Sequence, residues 1–255
     1  MLITRPDMDA EKEDLVRAVY LPEVLRDYQA QVKVGNKMEL HRLACSGIDG
    51  LTFAPAIGSS KNSKKYLYVA YGIYGDTTRT DNDNQVILKY DIQNWEKYAR
   101  RLSQGKLHQS GPDKPMDKYF VKTGNTSYGI QNLAYDAATG NLFAAVYHGS
   151  KSQYPNYDLF VIDGHKTPVN TEITSDNQRL KVKALSLVTK GWHFPWGATG
   201  LCPLGDGWFY ISHNSKTKDG QQQSNIHRYK WTGDVKTPFI WQNNGEILPV
   251  SYLKR

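Results

Sequence analysis

The amino-acid sequence predicts an all-β protein, built from a repeated four-stranded unit behind a short helical N-terminal segment. Three observations carry this expectation. After residue 38 the hydrophobic period changes from helical to alternating. Residues that favour pleated, half-buried surfaces are abundant, with 17 Tyr and 6 Trp. One order of features then recurs three times along the chain, and such self-similarity marks a repeat architecture.

The N-terminal segment comes first and covers residues 1–38; the β region covers 39–255. Residues 9–20 (DAEKEDLVRAVY) read as a helix. Asp9 is the N-cap, acidic residues crowd the first turn, and Leu15, Ala18 and Val19 share one face. Pro22 interrupts this helix and opens a second over residues 22–32.

Each repeat begins with a glycine-led turn into a strand: Gly47-Ile48-Asp49-Gly50-Leu51, Gly129-Ile130-Gln131-Asn132-Leu133 and Gly197-Ala198-Thr199-Gly200-Leu201. An aromatic-rich strand follows, at 66–71 (YLYVAY), 142–147 (LFAAVY) and 208–212 (WFYIS). After a polar loop comes a third strand, at 85–91 (QVILKYD), 158–163 (DLFVID) and 225–231 (NIHRYKW). A fourth strand leads into the next unit: 118–123 (KYFVKT) and 184–189 (ALSLVT), with 38–44 (MELHRLA) in that place before the first unit.

Four strands per repeat with glycine at the start resembles a β-propeller across residues 38–241. The resemblance is generic. The chain lacks the Trp-Asp dipeptide of WD40 blades and the double glycine of kelch blades, so no site residues carry over from a family. The leading glycines stand 82 and 68 residues apart (129 − 47 and 197 − 129). Blades usually recur every 40–50 residues or so, which makes the loops here long. Three blades are fewer than the roughly 4–8 that close a ring. A fragment, closure by self-association, an open β structure and a different blade count all fit.

The repeat register assigns six loops to one face: 44–50, 123–132 and 189–200 leading into the blades, and 72–84, 148–157 and 213–224 after the second strands. Loops on a rigid scaffold concentrate function. Asp49, Gln131 and Thr199 hold matching positions at the mouth of a central channel. The competing reading bonds them to nearby backbone. Trp192-His193-Phe194-Pro195-Trp196 offers Trp192 and Trp196 as an aromatic platform for sugar rings, or else as a packed plug. His148 and His213 occupy equivalent positions, and with His193 they give three imidazoles on one face. Together with Asp49 these are the catalytic candidates, and the imidazoles are candidate ligands for a divalent metal. Solvent-exposed loop histidine is the competing account. Lys151, Lys216, Lys218 and Arg79 add positive charge to the same loops. Asp81-Asn82-Asp83-Asn84 reads as a polar turn; it lacks the glycine and distant Glu of a calcium loop. Asn125-Thr126-Ser127 is a formal glycosylation triplet.

The net charge is +7, from 32 basic and 25 acidic residues. Residues 1–40 carry eight acidic and six basic side chains, so the remainder holds +9. A basic body points to anionic ligands. The absence of any dense Lys/Arg run argues against nucleic acid. Cys45 and Cys202 form no CxxC pair, and spacing does not say whether they bridge. No stretch has the roughly 18 apolar residues of a membrane helix. The N-terminus lacks a signal-peptide pattern; even so, soluble, secreted and cell-envelope locations all fit. GxSxG, P-loop and HExxH motifs are absent.

Three functions fit these features. The first is a binding module for a polar or anionic carbohydrate or small anion, using Trp192, Trp196, Gln131, Thr199, Lys151 and Lys216. The second is a hydrolase or lyase on polysaccharide or phosphoester. The third is a scaffold for a partner protein, with the N-terminal segment as docking element.

Overall fold

A computed structural model describes residues 2–4, 16–102, 107–124, 127–175, 178–243 and 246–249. In chain order the elements begin with β1 (Leu2–Thr4), β2 (Val16–Ala18), α1 (Pro22–Gln29), β3 (Val32–Val34) and β4 (Lys37–Glu39). Then come β5 (Cys45–Pro55), β6 (Lys65–Ile73), β7 (Asn84–Tyr90), β8 (Arg100–Arg101) and β9 (Asp117–Lys122). They continue with β10 (Ser127–Asp136), β11 (Asn141–Tyr147), β12 (Leu159–Ile162), β13 (Val169–Ser175) and β14 (Gln178–Ala184). Last are β15 (Leu201–Pro203), β16 (Trp208–Lys216), β17 (Gln222–Trp231), β18 (Phe239–Asn243) and β19 (Glu246–Pro249). Short 3₁₀ turns sit at Arg42–Ala44 and Trp95–Lys97.

The protein is all-β with one α-helix among the described residues, and none of its sheets closes into a barrel. Strands β5, β6, β7 and β9 form an antiparallel meander, at chain positions where strands were expected. Strands β10, β11 and β12 form a second sheet. Strands β15 to β19 form a third in sequential order.

Two expected strands are absent. Residues 184–189 do not complete the second sheet as a strand and make one isolated bridge there, Ile162 with Leu187. Instead the β13–β14 hairpin reaches back, and β14 pairs in parallel with β9 through Lys183–Tyr119 and Ala184–Phe120. Of residues 38–44 only Met38 and Glu39 are in a strand, the end of the short β3–β4 hairpin. After β4 the backbone turns through left-handed conformations at His41 and Leu43. The Arg79 guanidinium holds this turn by donating to Leu40 O at 3.0 Å and His41 O at 2.8 Å.

The helix expected over 9–20 lies partly outside the described residues. Its end, Val16–Ala18, is a strand paired with β1 and with β8. Sheet partners outweigh weak local propensity in a segment this short. The second helix forms but ends at Gln29, and Val32 already belongs to β3. Pro22 stands at its start, where a missing N–H costs nothing. The buried Asp27 carboxylate anchors the helix by pairing with Arg42 and with Lys118 of β9. Lys118 also reaches Glu23 at 2.9 Å.

Because side chains alternate along a strand, each sheet has two faces. One face of the first sheet, with Val69, Tyr71, Val86 and Leu88, packs on α1 through Val24. Its other face, with Tyr68, Ala70 and Ile87, packs on Ile130, Leu133, Val146 and Phe160 of the second sheet. The far face of the second sheet, with Phe143 and Val161, packs on Phe209, Ile211, Tyr229 and Phe239 of the third. The three sheets therefore stack face to face in chain order. Their leading strands meet as well: β10 lies against β5 on one side and β15 on the other. Gly50 permits the first approach, since a Cβ there would sit 3.0 Å from Ile130 Cγ2 and 3.1 Å from the Leu133 backbone nitrogen.

A histidine–aspartate cluster beside an open groove

One end of the second sheet gathers His148, Asp158 and His193. His148 follows the last residue of β11, and Asp158 precedes the first residue of β12. The antiparallel bridge between Leu159 and Trp192 sets His193 opposite Asp158. Leu159 N and Trp192 N complete this bridge by donating to Trp192 O at 3.2 Å and Leu159 O at 2.9 Å. Three neighbouring backbone segments thus aim three side chains at one point.

His148 Nδ1 lies 2.9 Å from Asp158 Oδ1, and His193 Nδ1 lies 3.6 Å from Asp158 Oδ2. The carboxylate is buried, whereas the imidazoles are 63% and 58% exposed. An imidazole held at Nδ1 by a carboxylate presents Nε2 as a base or ligand. Tyr157 packs on His193 with ring centroids 4.9 Å apart.

Tyr157 also lines an open groove of about 680 Å³. Leu185 and Leu187 supply apolar surface, Tyr154 and Tyr157 aromatic surface, and Lys122 and Lys190 positive charge. A second groove of about 790 Å³ runs between β9 and the β13–β14 hairpin. Several of its charges are already engaged: Asp117 pairs with Lys89 at 2.6 Å and with Lys183, while Lys118 is held by Glu23 and Asp27. Although its burial opposes ionisation, the Asp117 carboxyl stays below the usual carboxylate range through its bonds from Lys183, Lys89 and Tyr119.

The expected site residues divide into several groups. His148 and His193 do come together, with Asp158 as a third member that motif reasoning missed. Its position just before a strand, opposite His193 in register, is legible only once the pairing is known. His213 lies elsewhere, stacked on Trp196 at 3.8 Å between ring centroids and 4.2 Å from His227. Tyr229 Oη is 2.9 Å from its Nε2. Burial first, and then the nearby His227, push the His213 pKa down to about 4.

Burial alternates along Trp192–Trp196, so the side chains do not share one exposed platform. Trp192 and Phe194 are buried in the third core, His193 and Pro195 point outward, and Trp196 is half-buried. The Trp192 indole donates to Asp234 O at 2.9 Å.

Gln131 donates to Asp49 Oδ2 at 2.9 Å and to Tyr128 O at 2.7 Å. Thr199 Oγ1 lies 3.0 Å from Ser212 Oγ. Asn132, which the sequence did not single out, donates to Gly197 O and Ala198 O at 3.0 and 3.1 Å, tying the second leading strand to the third leading loop.

Lys151 is fully buried. Its ammonium donates to Asn82 Oδ1 at 2.7 Å, to Asp83 and to Arg79 O, so it cross-links loops and offers nothing to a surface ligand. The Asp81–Asn84 stretch is the polar turn the sequence favoured: Asp81 pairs with Arg79 at 2.6 Å, and Asp83 accepts from Tyr154 Oη at 2.7 Å. Lys216 is exposed at the tip of the β16–β17 hairpin. Asn125 and Thr126 of the glycosylation triplet fall outside the described residues. Cys45 is buried and Cys202 exposed, and both are free thiols.

Comparison with protein-family models, curated proteins and solved structures finds no match. Among the described residues, no helix is long and apolar enough to cross a membrane.

Proposed function

We propose that this protein binds a polar, anionic ligand, a carbohydrate bearing carboxylate or phosphate groups, in the 680 Å³ groove beside Tyr157. The observation that carries this reading is convergence. Thr123–Gly124, Tyr154–Tyr157 and Thr189–Lys190 line one groove, and all come from loops that the repeat order assigns to one face. In this reading each sheet is a propeller-type blade and the groove lies on the functional end of the stack. Tyrosine faces suit sugar rings, and Lys122 and Lys190 suit the anionic groups.

The test is a thermal-shift and calorimetry series in chelator, with an acidic uronic-acid oligosaccharide, its neutral counterpart and inorganic phosphate. A ligand at 100 times its Kd stabilises by about 2.7 kcal/mol. Stabilisation by the acidic sugar or phosphate, reduced in Lys122→Ala/Lys190→Ala and in Tyr157→Ala, is the expected result. A flat series, or a shift unchanged in both variants, overturns the proposal.

A second reading, a hydrolase or lyase on the same ligand class, draws on the His148–Asp158 pair at 2.9 Å next to this groove. New reducing ends released from the acidic oligosaccharide, and lost in His148→Ala, would favour it. The scaffold reading gains less support, because α1 already buries Val24 and Asp27 in the protein's own structure.

A further inference from the structure

We infer that His148, Asp158 and His193 form a binding site for a late first-row divalent cation of the Zn²⁺ type. One donor atom from each residue lies within 4.8 Å of the other two. Two imidazoles and one carboxylate are an N₂O donor set, which suits Zn²⁺ and its neighbours and not Mg²⁺ or Ca²⁺, whose sites are built of oxygen.

Charge bookkeeping supports the same conclusion. Buried charges are paired with opposite charge or coordinate metal. Asp27 has Arg42 and Lys118, and Asp81 has Arg79. Asp136 is buried but caps its own turn, accepting from Ala138 N and Thr139 N. Asp158 differs: its ion-pair partners among the described residues are two imidazoles and no Lys or Arg. A cation between the three side chains would supply the missing positive charge.

Burial is also distributed as a metal site requires. Asp158 is fixed, since its backbone N donates to Trp192 O at 3.0 Å and its O accepts from Val146 N at 2.9 Å. The exposed imidazoles have room to close onto an ion at the roughly 2.0–2.2 Å of Zn–N and Zn–O bonds. Three protein ligands leave coordination positions for water or for an anion, and Tyr157 connects the site to the groove.

The experiment uses the full chain, stripped of metal, with no sugar or phosphate present. Zn²⁺ is titrated by calorimetry, with Co²⁺ absorption as a spectroscopic readout of ligand geometry and with Mg²⁺ and Ca²⁺ as controls. One Zn²⁺ per chain is expected. His148→Ala and His193→Ala should each weaken binding at least about 10-fold, the loss that even an outer-shell change brings. Both side chains are exposed, so these variants should melt like the parent; Asp158→Asn is the harsher third variant. His213→Gln should leave the affinity unchanged. The inference is overturned if Zn²⁺ does not bind at micromolar concentration, if binding survives the His148/His193 double variant, or if it is lost in His213→Gln. The groove reading is tested in chelator on Lys122, Lys190 and Tyr157, so either proposal can fail while the other stands.

Discussion

The Asp49 carboxylate fills the space beside Gly72: a Cβ built on Gly72 would lie 1.9 Å from Asp49 Oδ2. The same oxygen accepts from Gln131, so Gly72 on β6 leaves room for the bond that joins the leading strands of the first two sheets. Gly72→Ala must push Asp49 aside and break that bond. A loss of about 1–3 kcal/mol is expected, as for other overpacking changes. Combining it with Asp49→Ala should recover part of the loss, because residues in contact couple. Urea denaturation of the two single variants and the double checks this; strictly additive losses would refute it.

Lys151 poses the opposite problem, a charge with no route to water. Lys151→Met, one atom shorter, keeps most of the apolar stem but takes the ammonium away from Asp83 and Asn82. Breaking a buried pair by removing one partner costs about 3–5 kcal/mol. The melting temperature should fall sharply, whereas Lys216→Met on the exposed hairpin tip should barely move it.

His213 makes stability depend on pH. Burial lowers its pKa from 6.5 to about 4, so the folded state holds the imidazole neutral and the unfolded chain binds its proton more readily. Its contribution is complete above about 6.5 and is lost progressively as pH falls toward 4. His227, also lowered by burial, acts in the same direction. Trp196→Ala uncovers the ring, and the His213 titration followed by NMR should move up toward the ordinary value. An unchanged midpoint would show that the stacked indole does not set it.

Phe143 sits among Phe209, Trp231 and Phe239, with ring centroids 4.8, 4.8 and 6.3 Å away. It is the aromatic join between the second and third sheets. Phe143→Ala should cost about 3–5 kcal/mol. Hydrogen exchange should accelerate first across β15 to β18, where the third sheet loses its partner.

Most of the strand content was legible from the sequence, and the reason is local. YLYVAY, QVILKYD and LFAAVY carry β-branched and aromatic runs that have no good alternative to a sheet, and they became β6, β7 and β11. The failures came where partners from distant sequence decide. Beside β12, residues 184–189 look like a strand, but only the Ile162–Leu187 bridge forms there, and Ala184 ends β14 beside β9. Residues 38–44 look like one too, but Arg79 captures their carbonyl groups in a turn.

The candidate site was half legible for the same reason. His148 and His193 could be assigned to one face from the repeat register. Asp158 needed the bridge between Leu159 and Trp192, which no spacing rule encodes. Lys151 was expected at the surface because its loop is polar, and Trp192 either as a platform or as a packed plug; both side chains turn inward. Loop membership gives a residue's neighbourhood and leaves its direction open.

The parallel pairing of β14 with β9 also governs the order in which the chain can be finished during synthesis. Strand β9 leaves the ribosome well before β14, and the whole second sheet emerges between them. Until residues 178–184 arrive, β9 has a bare edge able to pair with another chain. The edge of the first sheet is therefore closed only after the second sheet has emerged. A nascent chain stalled just after β12 would be the form most prone to aggregate, and one released after β14 would already have that edge closed.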